Sequence, residues 1–344
     1  MKKLLIYLTV ACCTFAGCSK ETAVSGCKTD ENTGEGLVPV TVTLSGIPTR
    51  AGDSESTVNS LQVVLYRSVN DELIYESYYN FDPEEMKGTI YVNSGKEAER
   101  YLIAAYANQE TLTEAKHADD WSLFSEEAQG DFQMYGEWRG KREELKDEVS
   151  ISLKRQCSKV SVKKVSLDWT NSANYHKSFK LKAMYLMDTQ GVLQNVSALT
   201  QEVKTANPWL NMNGNVLDKQ DTRLYKEISP VELTSEKAYD NDQVFYAYIS
   251  DLSNYNISSN WEECGTRLVL EAEFDNKTCY YAVPLRKSGI EGTYRNIHFI
   301  FENIVITKPG ADSPFGIPAT ESPVDIRFSI ASWDEINHGT VTLK

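Results

Sequence analysis

Four histidines occur, at positions 117, 176, 298 and 338, and none has a second imidazole at metal-binding spacing. The sequence has no HExxH pair for zinc, and no Gly-x-Ser-x-Gly elbow, P-loop or Gly-x-Gly-x-x-Gly turn for nucleophilic or nucleotide chemistry. His298, between Ile297 and Phe299, reads as a polar residue on a strand face rather than as a base. The adjacent acids Glu84-Glu85, Asp119-Asp120 and Glu143-Glu144 read as solvated faces, because neighbours in sequence rarely converge on one bond. Asp240-Asn241-Asp242 offers oxygens to calcium but lacks the Gly and distal Glu of an EF-hand loop. Trp138, Trp209 and Trp261 could stack on sugar rings in a glycan-binding surface lipoprotein, although core or loop-anchoring aromatics are the commoner use. No catalytic residue, metal or cofactor is expected.

Two positions invite covalent processing instead. Met1-Lys2-Lys3 is a basic start, Leu4 to Phe15 is apolar, and Phe15-Ala16-Gly17-Cys18 puts small residues before a cysteine. This reads as a lipoprotein signal over residues 1–18, with the Cys18 thiol acylated and becoming the new N-terminus; an ordinary secretory peptide cleaved nearby is the alternative. Its apolar run falls well short of the roughly 20 residues that span a bilayer. From Ser19 to Gly36 the chain is polar and reads as a tether. The second position is Arg50-Ala51, followed by Gly52-Asp53-Ser54-Glu55-Ser56, a polar loop with nothing to hold it in a core. An Arg-Ala bond there is an open target for a trypsin-like, Arg-specific protease. Cleavage would remove five basic and four acidic side chains and move the formal charge from -14 to -15.

The 344 residues are 41% hydrophobic and 24% charged, ordinary for a folded protein and long enough for two domains. With 35 basic against 49 acidic residues, the charge argues against a nucleic-acid partner. Four of the seven cysteines, at 12, 13, 18 and 27, lie near the N-terminus, which excludes a disulfide scaffold. Cys264 and Cys279 are expected as free buried thiols rather than cross-strand partners. The hairpin register expected here puts 279 opposite 274.

The elements that must position these sites are almost all strands. Val38, Val40, Val42 and Leu44 alternate with polar or small neighbours, the period of a half-buried strand. Strands follow at Leu61–Tyr66, Leu73–Tyr79, Gly88–Val92 and Tyr101–Ala107. Between Thr111 and Gln129, Leu112, Ala115, Trp121 and Phe124 fall at nearly helical spacing, so one helix is expected. Val149, Ile151 and Leu153 resume alternation. The second half begins near Cys157, with Val160, Val162, Val165 and Leu167 in one bulged strand or a strand pair. Phe179 to Met187 alternates clearly, and Thr189 to Asp242 reads as long loops. Strands return at Gln243–Ile249, at Arg267–Phe274 and Tyr280–Leu285 around the turn Asp275-Asn276-Lys277, and at Ile297–Phe301. Ile326, Phe328 and Ile330 alternate next, and a short strand at Thr340–Leu343 ends the chain. Short strands with turns every ten or so residues indicate β-sandwiches.

Taken in order, several stretches resemble the Bacteroidales fimbrillins, the FimA and Mfa-type subunits of type V pili. They are the Cys18 lipobox, the Val38–Leu44 strand, Arg50-Ala51, Ser60-Leu61-Gln62-Val63-Val64-Leu65-Tyr66, Arg100-Tyr101-Leu102-Ile103-Ala104-Ala105-Tyr106-Ala107-Asn108, Leu153-Lys154-Arg155-Gln156-Cys157-Ser158-Lys159-Val160, Tyr294-Arg295-Asn296-Ile297-His298-Phe299 and Ser332-Trp333. The departure is Gln156-Cys157-Ser158, where the family usually has small aliphatic residues.

The resemblance implies an all-β fold with one or two short helices. It comprises two tandem β-sandwiches of the transthyretin-like fimbrillin type, at 51–156 and 157–344, behind a segment, 19–50, that is removed on maturation. It implies a lipidated precursor at the outer membrane, cleaved after Arg50, that joins a cell-surface fimbria and mediates adhesion. Val38, Val40, Val42 and Leu44 would fill a groove in the first sandwich until proteolysis. A strand near 324–344 of the next subunit, carrying Ile326, Phe328, Ile330, Val341 and Leu343, would then replace them by β-strand addition. Partners implied are other fimbrial subunits in a homopolymer or accessory pilins, the outer membrane through the precursor's lipid, an Arg-specific protease and host or bacterial surface receptors. A lipid-retained anchor or tip accessory subunit is the alternative. Burying the four groove residues is worth roughly 6–12 kcal/mol before ordering costs.

Overall fold

A computed structural model describes residues 37–45, 55, 57–70, 72–93, 100–108, 122–124, 132–169, 177–187, 189–190, 192–194, 209–210, 224–251, 266–285, 292–314 and 334–343. In chain order the strands of the first half are β1 (Leu37–Ser45), β2 (Leu61–Val69), β3 (Glu72–Asn80), β4 (Lys87–Asn93), β5 (Arg100–Ala107), β6 (Ser122–Phe124), β7 (Met134–Lys141), β8 (Glu148–Ser152) and β9 (Lys154–Arg155). The second half holds β10 (Ser158–Val162), β11 (Val165–Leu167), β12 (Phe179–Met187), β13 (Thr189–Gln190), β14 (Val192–Gln194), β15 (Trp209–Leu210), β16 (Tyr225–Glu232), β17 (Gln243–Ala247), β18 (Ile249–Asp251), β19 (Arg267–Phe274), β20 (Lys277–Pro284), β21 (Gly292–Tyr294), β22 (Ile297–Ile306) and β23 (Asp334–Leu343). A 3-10 turn at Arg142–Glu144 interrupts them. Among the described residues no helix is long and apolar enough to cross a membrane.

Two sandwiches account for most strands. In the first, a three-stranded sheet of order β4-β1-β8 shares one core with a five-stranded sheet of order β3-β2-β5-β7-β9. In the second, the sheet β16-β12-β19-β20 packs on a sheet in which β10 and β11 both run parallel to β22, with β17 outside β10 and β23 along β22. Val160, Val162 and Val165 are core residues of two short strands that both run along β22, where one bulged strand or a strand pair was expected.

Several expectations are corrected. Of the helix expected over Thr111–Gln129, the described part is strand β6, paired with β14, and the rest lies outside the described residues. The stretch from Thr189 to Asp242 contains β13 to β16 rather than loops alone. β16 carries Pro230 and reads weakly because it is an edge strand, where solvent meets one side and a missing N–H is tolerated. β7 carries Gly136, where an added Cβ would sit 2.3 Å from the Ser152 carbonyl oxygen. Close approach of β8 demands glycine there, and that glycine hides the strand pattern.

The hairpin between β19 and β20 turns on two residues, Asp275 and Asn276, both at positive φ (49° and 64°). Such a two-residue turn matches the strand twist. It sets Cys279 opposite Ala272, two residues from the expected partner 274.

Candidate functional site

β1 is the middle strand of its sheet. It runs antiparallel to β4 from Leu37 opposite Asn93 to Thr43 opposite Lys87, and parallel to β8 from Thr41 beside Glu148 to Ser45 beside Ser152. Val40, Val42 and Leu44 are 1%, 0% and 5% exposed, while Val38 is half-buried. They share the core with Ile90 and Val92 of β4 and with Val149 and Ile151 of β8. At both ends of the slot the backbone is held beyond the ladders themselves. Thr41 N–H donates to the Asp147 carbonyl, Leu44 N–H to Met86, and Leu153 N–H to Ser45, each at 2.8 Å.

A polar strap crosses the outer face of the same strand. The Thr43 hydroxyl donates to Glu148 at 2.8 Å, and Lys87 on the opposite flank reaches the same carboxylate oxygen at 3.7 Å. Withdrawing β1 would therefore free the inner edges of β4 and β8 together and uncover the core beneath them. The geometry is a slot with two hydrogen-bonding walls, an apolar floor and an acid-base pair at its rim.

β23 contrasts with β1. Among the described residues it pairs only with β22, in parallel, from Asp334 beside Ile297 to Leu343 beside Ile306. The register slips beside Ile300, Phe301 and Asn303. Ile336, Val341 and Leu343 lie in register with Phe299, Ile304 and Ile306, all core residues. β23 spans ten residues rather than the short Thr340–Leu343 segment expected. Ile326, Phe328 and Ile330 lie outside the described residues, as do Cys18, Arg50, Ala51 and Cys264.

The loop after Arg50 does not lack an anchor. Glu55 takes a 2.6 Å ion pair from Lys159 of β10 and a hydrogen bond from the Tyr246 hydroxyl of β17, and its backbone carbonyl accepts from Arg155 Nε at 2.8 Å. Arg155 is buried and also donates to Asn296 at 3.4 Å. Sequence reasoning missed this cluster because a single Glu in a polar run carries no periodicity, and its partners lie 100 residues or more away.

The remaining candidates have structural surroundings. His298 Nε2 lies 2.7 Å from the Ser161 hydroxyl, and burial, with Lys159 and Lys163 nearby, pushes its pKa down to about 4. Trp138 is half-buried against the first core, and a Cβ at Gly140 would lie 2.6 Å from its ring, in keeping with an anchoring aromatic. Trp209 is in β15 and Trp261 lies outside the described residues. Cys157 and Cys279 are buried free thiols, with burial pushing the Cys157 pKa up to about 12. Asp240, Asn241 and Asp242 are exposed, and among the described residues no group of three His, Cys, Asp or Glu gathers as metal ligands would.

No protein-family profile matches the chain, and no curated protein matches it. Solved structures do. A fimbrilin, FimA, from Porphyromonas gingivalis superposes with a TM-score of 0.56 at 12% identity, over 89% of this chain and 97% of that one. This chain has the fimbrilin fold. A candidate cell adhesion protein from Bacteroides eggerthii gives 0.56 at 14% identity over 90% and 99% of the two chains. Another from Parabacteroides distasonis gives 0.52 at 15% identity over 88% and 99%. The likeness thus covers about nine-tenths of the chain.

Proposed function

We propose that the protein is a fimbrial subunit of the cell surface that takes part in adhesion, and that it assembles by exchange of β1 for a strand of a second copy. In this reading the precursor is acylated at Cys18 and held at the outer membrane until an Arg-specific protease cuts after Arg50. The mature subunit is then a sandwich at 51–156 followed by one at 157–344. The carrying observation is the position of β1: a central strand with three buried side chains, joined to the body through a segment that contains Arg50. Cutting there makes the strand dissociable without breaking either sandwich elsewhere. A strand from the 324–344 region of the next copy, offering Ile326, Phe328 and Ile330 or Val341 and Leu343, would restore the hydrogen bonds of both walls and refill the apolar floor. The neighbours named as a fimbrilin and as candidate cell adhesion proteins support the role. No catalytic step is assigned to the chain.

The test uses Arg50→Ala, which keeps β1 tethered at high effective concentration and is expected to remain monomeric. Adding Val42→Asp should expel the strand without cleavage, because an unpaired carboxylate in that floor must be neutralised or leave. In size-exclusion chromatography with a peptide of residues 324–344, binding to the double variant alone supports exchange. Equal binding to both variants, or to neither, removes β1 as the slot's occupant. Sequencing the N-terminus of surface protein tests maturation: Ala51 fits the shaft subunit, and acylated Cys18 fits a lipid-retained anchor.

A further inference from the structure

The sheet that loses β1 has another place where a strand could add, the outer edge of β4. Met86 carbonyl accepts from Leu44 across the β1 ladder, so residues in phase with it, Gly88, Ile90 and Val92, turn their backbone groups toward β1. Lys87, Thr89, Tyr91 and Asn93 turn theirs outward, because the two directions alternate along an antiparallel strand. Pro39, opposite Tyr91, agrees with this phase, since it has no N–H to exchange. β4 has no strand on its outer side among the described residues, and such an edge is a template for pairing with another chain.

One hydroxyl occupies that edge at its middle. Tyr79, near the end of β3 in the facing sheet, donates its O–H to the Tyr91 carbonyl at 3.1 Å and accepts from the Tyr91 N–H at 3.0 Å. The Ser77 hydroxyl donates to the Tyr79 hydroxyl oxygen at 3.1 Å and holds it in place. Both outward backbone groups of Tyr91 are thus taken by a side chain of the same molecule, much as a neighbouring strand would take them. Tyr91 itself is 42% exposed, so its bulk does not bury this edge.

We propose that Tyr79 is a specificity residue for strand addition: its hydroxyl closes the outer edge of β4, so that β4 receives a strand only on the side of the β1 slot. The occupant it excludes is β4 of a second copy, which would pair antiparallel about a two-fold axis, the usual symmetry of a self-complementary edge. The proposal deepens the strand-exchange reading but does not depend on it, because the outer edge exists while β1 is still in place.

The experiment therefore uses the full chain carrying Arg50→Ala, with the slot filled. Sedimentation equilibrium over a concentration series is expected to show a monomer for this parent and a concentration-dependent dimer after Tyr79→Phe, with the dimerisation constant shifted at least tenfold. At concentrations where the variant is still monomeric, hydrogen exchange should show the Tyr91 amide losing protection by a similar factor. Adding Thr89→Pro, which removes an outward N–H from the same edge, should restore the monomer. Should Tyr79→Phe fail to fold, Ser77→Ala leaves every ring in place, removes only the hydroxyl's third partner, and should give a smaller shift of the same sign. A folded Tyr79→Phe that stays monomeric, or a dimer insensitive to Thr89→Pro, overturns the assignment. Failure of strand exchange itself would appear only in the slot experiment with the 324–344 peptide.

Discussion

The strands nearest the two ends of the described chain are built on opposite plans. β1 lies between two neighbours and lends three fully covered side chains to a core, whereas β23 lies at an edge with a single neighbour. Removing the first opens two ladders and an apolar floor; removing the second opens one ladder. Strand exchange in the proposed direction therefore leaves the donor's body less damaged than the acceptor's. A subunit deprived of β1 would expose two strand edges, and one deprived of β23 a single edge.

The largest effect expected from this contrast is Val42→Asp. A carboxylate at a position with no solvent exposure should cost several kcal/mol, read as a lower urea midpoint of the uncleaved chain. Deleting Thr340–Lys344 should cost less, about 2–3 kcal/mol for a few edge hydrogen bonds. It should leave a folded, secreted monomer that forms no SDS-resistant ladder. Equal losses for the two changes would remove the contrast between a central and an edge strand.

Acid should act on the β22 side of the molecule. His298 has its pKa lowered to about 4 from an ordinary 6.5, first by burial and then by Lys159 and Lys163, with Glu55 opposing. The unfolded chain thus binds the extra proton between pH 6.5 and 4, and stability falls as pH drops through that window. His298→Gln should flatten the slope there, measured as the difference between the urea midpoints of the variant and the parent across that range. An unchanged difference would mean that His298 is not the group responsible.

The smallest effect belongs to the strap over β1. Lys87 and Glu148 are about half exposed, so Lys87→Met should change stability by less than about 1 kcal/mol. A larger loss in thermal unfolding would make the rim, and not the floor, the main hold on the strand.

What could be read from the sequence followed periodicity. β1 alternates clearly because one face meets a core, and β1, β12 and β22 were all expected near their observed positions; in β12 a bulge between Leu181 and Ala183 puts Phe179 and Leu181 in one cluster and Ala183, Tyr185 and Met187 in another. β7 was not, since Gly136 and Gly140 answer to close neighbours rather than to burial, and β16 was not, since an edge strand with Pro230 follows no pattern. The hairpin was expected, but its register depends on a two-residue turn at positive φ, which composition suggests only loosely. At the candidate site the four β1 residues were legible. The walls that receive them, the Glu55 cluster and the Tyr79 hydroxyl were not, because each is a pairing between distant segments made by single side chains or by backbone. Cys18 and Arg50 stand on sequence alone.

The placement of β1 also has a mechanical consequence. A pull along the strand axis loads the β4 and β8 ladders in shear, so their hydrogen bonds resist together, and the apolar side chains must slide through a packed floor before any is free. β23 has one ladder and can be peeled from its Leu343 end, one pair after another, at low force. A strand seated between β4 and β8 is thus a joint that is stiff in tension and weak to peeling. In the proposed strand exchange, such a joint would suit a filament that is stretched along its length, provided that the load enters parallel to the strand.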